Sequence, residues 1–262
     1  MSCWRGIVGL AIVVISALTV GLSSSCSTLS TTGTSPPAIP DATFVGNKVC
    51  LECHAPIFKT FPASIHARVH VDHTQLAGGT SCEMCHGPGS KHVAAPEGRA
   101  RLIINPGKDA TACLACHIET HSEFRLPHHH PVLENKMNCV QCHDPHGSEI
   151  HRNKGALMFS RLNETCAECH REQSRTFVFE HEALRDGCTV CHSPHGSANA
   201  KMLVERDANL CLKCHAQVPG SAPGTIYIGK EEHTAFLRRG TCWTSGCHTA
   251  IHGSNIHPKM FY

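Results

Sequence analysis

The chain has 262 residues, 18 cysteines and 23 histidines, while Phe, Trp and Tyr together make up only 5%. So few aromatic side chains leave an apolar core of ordinary composition thin for that length. Lys and Arg total 23 against 21 for Asp and Glu, which leaves no basic stripe and excludes a nucleic-acid face built on charge.

Arg5 precedes an apolar run from Gly6 to Leu22, followed by Ser23, Ser24, Ser25 and Cys26. The run is short for a membrane span and reads as a secretory signal peptide over residues 1–25. Cys26 stands where a bacterial lipoprotein is cleaved and acylated, although Ser23, three positions earlier, departs from the aliphatic residue usual there. Cleavage within the Ser run and an uncleaved anchor are the alternatives. Residues 26–45 are rich in Ser, Thr and Pro and read as an extended tether. From residue 46 to 262 no long helical or strand pattern persists. The segments Asn47–His54, Asp109–His117, Asn163–Glu172 and Asp207–Ala216 are each predicted as two or three helical turns, with Asp109, Asn163 and Asp207 as N-caps. The remainder is Gly-, Pro- and His-rich loop with little β structure.

This last region carries one pattern again and again: two cysteines three apart with a histidine directly after. The copies are Cys50/Cys53/His54, Cys82/Cys85/His86, Cys113/Cys116/His117, Cys139/Cys142/His143, Cys166/Cys169/His170, Cys188/Cys191/His192 and Cys211/Cys214/His215. An eighth, Cys242/Cys247/His248, has four intervening residues, and Gly246 lets that loop bulge while Cys247 and His248 stay adjacent. The pattern is the attachment signature of c-type haem. On a helical turn positions i, i+3 and i+4 share a face, so both thiols reach the porphyrin vinyl groups while the imidazole lies beneath the iron. Zinc sites have no need of a histidine after every second cysteine, and disulfides explain the histidines no better. The expected cofactors are eight c-type haems, whose faces replace much of the missing core and whose propionates add roughly sixteen negative charges.

The stretch Cys139-Val140-Gln141-Cys142-His143-Asp144-Pro145-His146-Gly147-Ser148 recurs almost unchanged from Cys188 to Ser197. Its second histidine stands three residues beyond the first. Three residues reach at most about 10 Å, too little to pass round a porphyrin edge to the opposite face. His146 and His195 are therefore expected to ligate neighbouring haems. After the signal only five methionines remain, too few to be a general sixth ligand, so bis-histidine ligation is the economical reading. The expected distal set is His66, His92, His130, His146, His181, His195, His233 and His252. His128 and His129 compete with His130, which Pro131 favours by holding its backbone extended. Most of His70, His73, His121, His128, His129, His151 and His257 are read as solvated. Two repeats, from His130 to His170 and from His181 to His215, are two-haem units each preceded by a free histidine. A looser unit spans the first two motifs and includes His92.

Cys82–His92, His130-Pro131-Val132-Leu133-Glu134, the two repeated stretches and Cys247–Asn255 resemble the MtrA/DmsE-type multihaem cytochromes c. The resemblance covers most of residues 46–258. It implies an elongated haem chain of short α-helices and loops. It also implies an outer-membrane β-barrel porin and other multihaem cytochromes as partners, and an exported location in the periplasm or outer membrane of a Gram-negative bacterium. This chain departs in having eight motifs where family members commonly carry ten haems, and in its expanded last motif. Irons closed by two histidines cannot bind substrate, so the expectation is an electron-transfer protein rather than an enzyme. Association with the membrane is expected through the porin or a lipid on Cys26. The alternatives are a reductase of nitrogen or sulfur oxyanions, which needs an open iron, and a subunit of an extracellular cytochrome filament.

Overall fold

A computed structural model describes residues 36–68, 81–95, 101–108, 110–147, 156–206, 208–239, 242–243 and 246–261, with no side-chain description for 156–161. The signal segment, Cys26 and the first part of the tether lie outside the described residues, as do His70, His73, Asp109, Ser148, His151 and Asp207. Among the described residues no helix is long and apolar enough to cross a membrane.

The unit of construction is a single turn closed on each motif. The backbone N–H of the motif histidine donates to the carbonyl of the first cysteine, at 2.9 Å for His54 to Cys50, His117 to Cys113, His143 to Cys139 and His170 to Cys166, and at 3.0 Å for His192 to Cys188 and His215 to Cys211. The expanded motif keeps this bond, from His248 to Cys242 at 2.9 Å. The Gly246 N–H donates to the Trp243 carbonyl at 3.1 Å, and Gly246 takes φ +82°, a conformation open to glycine without strain.

Around these turns lie ten short helices among the described residues: α1 (Asn47–Leu51), α2 (Ala55–Phe58), α3 (Ser81–His86), α4 (Ser90–Ala94), α5 (Thr111–Leu114), α6 (Ile118–Glu123), α7 (Ala156–Ala167), α8 (Arg171–Ser174), α9 (Ala208–Leu212) and α10 (Thr234–Leu237). Helix formation therefore begins near the motifs as expected but is interrupted at the motif histidine. His54, His117 and His170 leave helical geometry and start the next helix as its N-cap.

One expectation is corrected. Asn163 does not cap a helix, because α7 starts at Ala156, seven residues earlier. Its side chain does something else: Oδ1 accepts from the N–H of Cys188 at 2.9 Å while Nδ2 donates to Leu184 O at 2.9 Å. Asn47 is its counterpart in the first unit, with Oδ1 accepting from the Cys82 N–H at 3.1 Å and Nδ2 donating to Ser81 Oγ at 2.8 Å. Each asparagine stands three residues before the first cysteine of one motif and grips the first cysteine of the next. The carboxamide suits this task because it offers a donor and an acceptor on one planar group.

β structure is sparse. Two residues of β1 (Phe179–Glu180) pair antiparallel with β5 (Gly253–Ser254), and β2 (Gln217–Pro219), β3 (Ile226–Ile228) and β4 (Glu231–Glu232) form a three-stranded antiparallel sheet in that order. The apolar core is as thin as the composition indicates: Ala110, Phe124 and Val132 form one buried cluster, flanked by Leu114, Leu133, Met137 and Cys139.

The most deeply buried charged side chain, Glu83, lies between the two cysteines of the second motif and is 1% exposed. Its Oε1 accepts from the N–H groups of Val45 at 3.0 Å and Gly89 at 2.8 Å, and its Oε2 from Gly46 at 2.9 Å. Three donors satisfy the carboxylate without a cation, tying the start of the haem-bearing region to the second motif. Glu83→Ala removes the acceptor of three N–H groups, the buried one of Gly89 and the half-buried ones of Val45 and Gly46, and is expected to cost about 2 to 4 kcal/mol. Thermal unfolding of the loaded protein reads this as a lower midpoint, while Lys91→Ala, which loses the 3.5 Å pair with the exposed Asp41, stays within about 0.5 kcal/mol.

Candidate haem sites

The motif histidines are brought face to face with histidines from elsewhere in the chain. His54 faces His92 with ring centres 6.3 Å apart, His86 faces His146 at 6.2 Å, His117 faces His66 at 6.1 Å and His143 faces His195 at 6.1 Å. His170 faces His130 at 6.1 Å, His192 faces His252 at 6.2 Å and His215 faces His181 at 6.1 Å. Two metal–imidazole bonds of about 2.0 Å each, plus about 1.1 Å from each nitrogen to its ring centre, span about 6.2 Å. Imidazoles packing on each other for their own sake would vary in separation and approach more closely. The near-constant spacing fits one metal ion held between each pair, with two cysteines beside it to anchor a porphyrin.

The ring nitrogens turned away from these gaps are held. Nδ1 of His86 donates to Ile104 O at 2.9 Å, that of His192 to Lys201 O at 2.9 Å, and that of His130 to Pro194 O at 2.6 Å. A carbonyl can only accept, so in each case the proton sits on Nδ1 and Nε2 keeps its lone pair for a metal. Nδ1 of His195 instead meets Glu123 Oε2 at 2.8 Å. Burial pushes the imidazoles of His86, His181 and His252 below the ordinary histidine value, and the facing imidazole of each pair adds to the effect. The neutral ring is the form that ligates metal.

The partners follow an order that spacing alone did not reveal. His146 and His195 pass over the adjacent motif and meet the histidines two motifs earlier, and His252 does the same. His66, His130 and His181 reach two motifs forward. Only His92 serves its immediate neighbour, at the beginning of the series. The second, fourth and sixth motifs thus face a histidine from later in the chain, and the third, fifth and seventh one from earlier.

His233, expected as a distal ligand, faces no motif histidine at the common spacing among the described residues. The ring of His233 packs edge-on to Phe236 at 6.0 Å and its Nδ1 donates to Glu231 O at 2.9 Å. His248 donates from Nδ1 to Lys259 O at 2.6 Å and is flanked by Phe261 at 5.3 Å, and among the described residues no second imidazole faces it at the common spacing. Of the competing histidines, His128 bridges to Ser197 through its backbone, His129 binds Glu134 at 3.1 Å and His257 packs on Phe261 at 4.6 Å.

The cysteines give the order of the motifs in space. First cysteines meet in the pairs Cys50/Cys82, Cys113/Cys139, Cys166/Cys188 and Cys211/Cys242, each sharing a thiol hydrogen bond. Second cysteines lie close enough for their charges to interact in the pairs Cys85/Cys116, Cys142/Cys169 and Cys191/Cys214. The two kinds of junction alternate, so the eight motifs follow one another in space as in sequence. The bond from Cys113 lowers Cys139 to about 7, whereas the Cys188 thiol donates to Asn163 Oδ1 at 3.0 Å. Cys82 and Cys166 are pushed up by the same sharing and by burial, and burial with Cys242 raises Cys211 to about 12. These thiols stand where thioether sulfurs lie once haem is attached.

Cys53, Cys116, Cys142, Cys169 and Cys214 are exposed, whereas the other attachment cysteines are half-buried. All five are the second cysteine of their motif.

Two family models match the chain, one for a doubled CXXCH motif over residues 129–175 and 181–220, the other for cytochrome c554 and c-prime over residues 24–87. Multihaem cytochrome MtrA of Shewanella baltica is 31% identical over 220 residues, 81% of this chain and 59% of the relative. It is a multihaem c-type cytochrome related to MtrA. The dissimilatory sulfite reductase MccA of Wolinella succinogenes is 25% identical over 166 residues, 45% of the cytochrome and 22% of that relative. The cytochrome therefore spans less than two thirds of either. Its cofactors are c-type haems, and the paired imidazoles beside attachment cysteines fit them. Replacing Cys242 and Cys247 together by alanine is expected to remove one haem from the intact mass of the purified cytochrome and leave the other sites loaded. Full retention of haem by the double variant would exclude the expanded motif as a site.

Proposed function

We propose that the cytochrome is an electron conduit of eight c-type haems, with His54, His86, His117, His143, His170, His192, His215 and His248 as proximal ligands. His92, His146, His66, His195, His130, His252 and His181 close the first seven irons in motif order. The observation that carries this reading is the unbroken alternation of cysteine junctions between motifs, each flanked by imidazoles opposed at 6.1 to 6.3 Å. When bound, each haem supplies one-electron chemistry at its iron. The protein fixes the ligands: carbonyls hold the imidazole tautomer, asparagines hold successive motifs at fixed separation, and two rings per iron keep substrates away.

The assembly we propose is the one suggested by MtrA-type relatives: export, seating in an outer-membrane β-barrel porin, and passage of electrons between periplasm and cell surface. A bilayer with its headgroups is about 40 to 45 Å thick, a distance a row of eight haems is suited to bridge. Lipidation of Cys26 is part of this proposal. The test is to rebuild the cytochrome with its porin in liposomes that hold a reduced dye. An impermeant acceptor outside should drain the dye; retention of the dye despite a fully loaded cytochrome would sink the transmembrane reading.

A second reading has a specific observation behind it. His248 is flanked by Phe261 rather than by a second imidazole among the described residues, and MccA is named a sulfite reductase. An iron there with an exchangeable sixth position would suit reduction of a sulfur or nitrogen oxyanion. Low-temperature magnetic spectroscopy decides between the two. Wholly low-spin ferric haem is expected for the conduit with His233 as the last ligand, whereas a high-spin signal lost in the His248→Met variant would favour the reductase.

A further inference from the structure

Glu123 ends α6, the helix that follows the third motif, and its carboxylate accepts the Nδ1 proton of His195 at 2.8 Å. It comes from the third motif's segment, acts on a ligand carried by the sixth motif, and so reaches the iron of the fourth, between His143 and His195. By contrast, His86, His130 and His192 give the same proton to neutral backbone carbonyls. The repeated stretch does not require an acid at this point. In its twin, Asp144 stands 4.0 Å from Nδ1 of His146, outside hydrogen-bond range, and turns instead to the His146 backbone N–H at 2.9 Å.

The contact is built into the fold from both sides. The Glu123 carbonyl lies so close to Gly196 that a Cβ there would meet it at 2.1 Å, which no larger residue tolerates. Paired backbone bonds between His128 and Ser197, 3.2 Å and 2.8 Å, staple the same two segments together. Phe124, 5% exposed, packs against the His195 ring with centres 5.3 Å apart. The carboxylate therefore meets a ring that is already fixed in place.

We infer that Glu123 is a positioning residue that makes His195 a stronger donor than the carbonyl-held imidazoles, so that the fourth haem is a low-potential point midway along the chain. A full negative charge accepting from Nδ1 draws the proton toward itself and pushes electron density to Nε2. That density favours ferric over ferrous iron, so the one-electron reduction of this couple by an external donor becomes harder, while the proton stays on the Nδ1–carboxylate bond. A low-potential site in the middle of a wire separates the electrons held on its two sides. The inference rests on the reading of His195 as an axial ligand.

The experiment is a spectroelectrochemical titration of the loaded cytochrome with electron paramagnetic resonance of its ferric form. Glu123→Gln keeps an acceptor oxygen and removes the charge; Glu123→Asp keeps the charge and withdraws it from His195. Both should raise one midpoint by about a tenfold change in ferric preference, 59 mV for a one-electron couple, and shift the g values of one low-spin haem. Glu119→Gln, which removes a charge one turn earlier on α6, should leave that haem unchanged. Unmoved potentials in both Glu123 variants, a uniform drift of every haem, or an equal shift in Glu119→Gln would each overturn the role of Glu123. His195→Ala tests the underlying ligation separately: it must turn one low-spin haem high-spin, and failure to do so would sink the ligand assignment itself.

Discussion

An iron whose proximal histidine follows directly on its own attachment cysteines needs its second imidazole from another part of the chain. The porphyrin blocks the local route, since a few residues of backbone cannot travel round its edge. Every closed site is therefore also a long-range contact, and the chain has enough of them to substitute for a large core. Ala110, Phe124 and Val132 could not by themselves organise a domain of this length. Seven facing imidazole pairs, each drawing two segments to one gap, accomplish this instead. Under the proposed ligation, haem attachment would be coupled to folding, since metal binding at such pairs contributes to the stability of the fold.

The straps impose close packing where they cross. Gly196 admits the Glu123 backbone, Gly147 in the twin stretch admits Thr60, and Gly253 near the end admits the Phe177 ring, each at a separation that a Cβ would close to below 3 Å. Segments following the first, third and fifth motifs thus pack on the fourth, sixth and eighth. Serines reinforce two of these crossings. Ser197 Oγ donates to Leu203 O at 2.6 Å and Ser254 Oγ donates to Phe261 O at 2.6 Å, and the loops so closed carry the Lys201 and Lys259 carbonyls that hold His192 and His248. One small motif therefore supplies two cysteines, a histidine that faces a distant motif, a gap for a crossing segment and, where serine follows, the loop that fixes the motif histidine.

A repeating scaffold of this kind sets each haem in nearly the same surroundings, which suits transfer along a row. Function then depends on the places where repetition breaks. The Glu123 carboxylate replaces a backbone carbonyl at His195, and Phe261 stands beside His248 at the last motif. These two sites differ from their counterparts in the groups that touch the imidazole, which is where the electronic character of a haem iron is tuned.

Much of this was legible in the residues themselves. The cysteine and histidine pattern specifies covalent haem attachment because the chemistry needs those groups on one turn, and the lack of alternative ligands points to paired histidines. Reach alone points His146 and His195 to neighbouring haems, whereas their rings face His86 and His143, two motifs earlier. The role of Asn163 was not legible: an asparagine before a helical pattern signals a cap, and only the packing shows it clamping Cys188. Nor does any local pattern tell which iron a free histidine will serve. The choice of partners two motifs away, the order of motifs in space and the approach of Glu123 to His195, 72 residues apart along the chain, arise from how segments cross. Local sequence determined what each turn binds, because that chemistry is satisfied within five to seven residues; tertiary structure decided which turns share an iron, because that depends on three-dimensional proximity that no short stretch encodes.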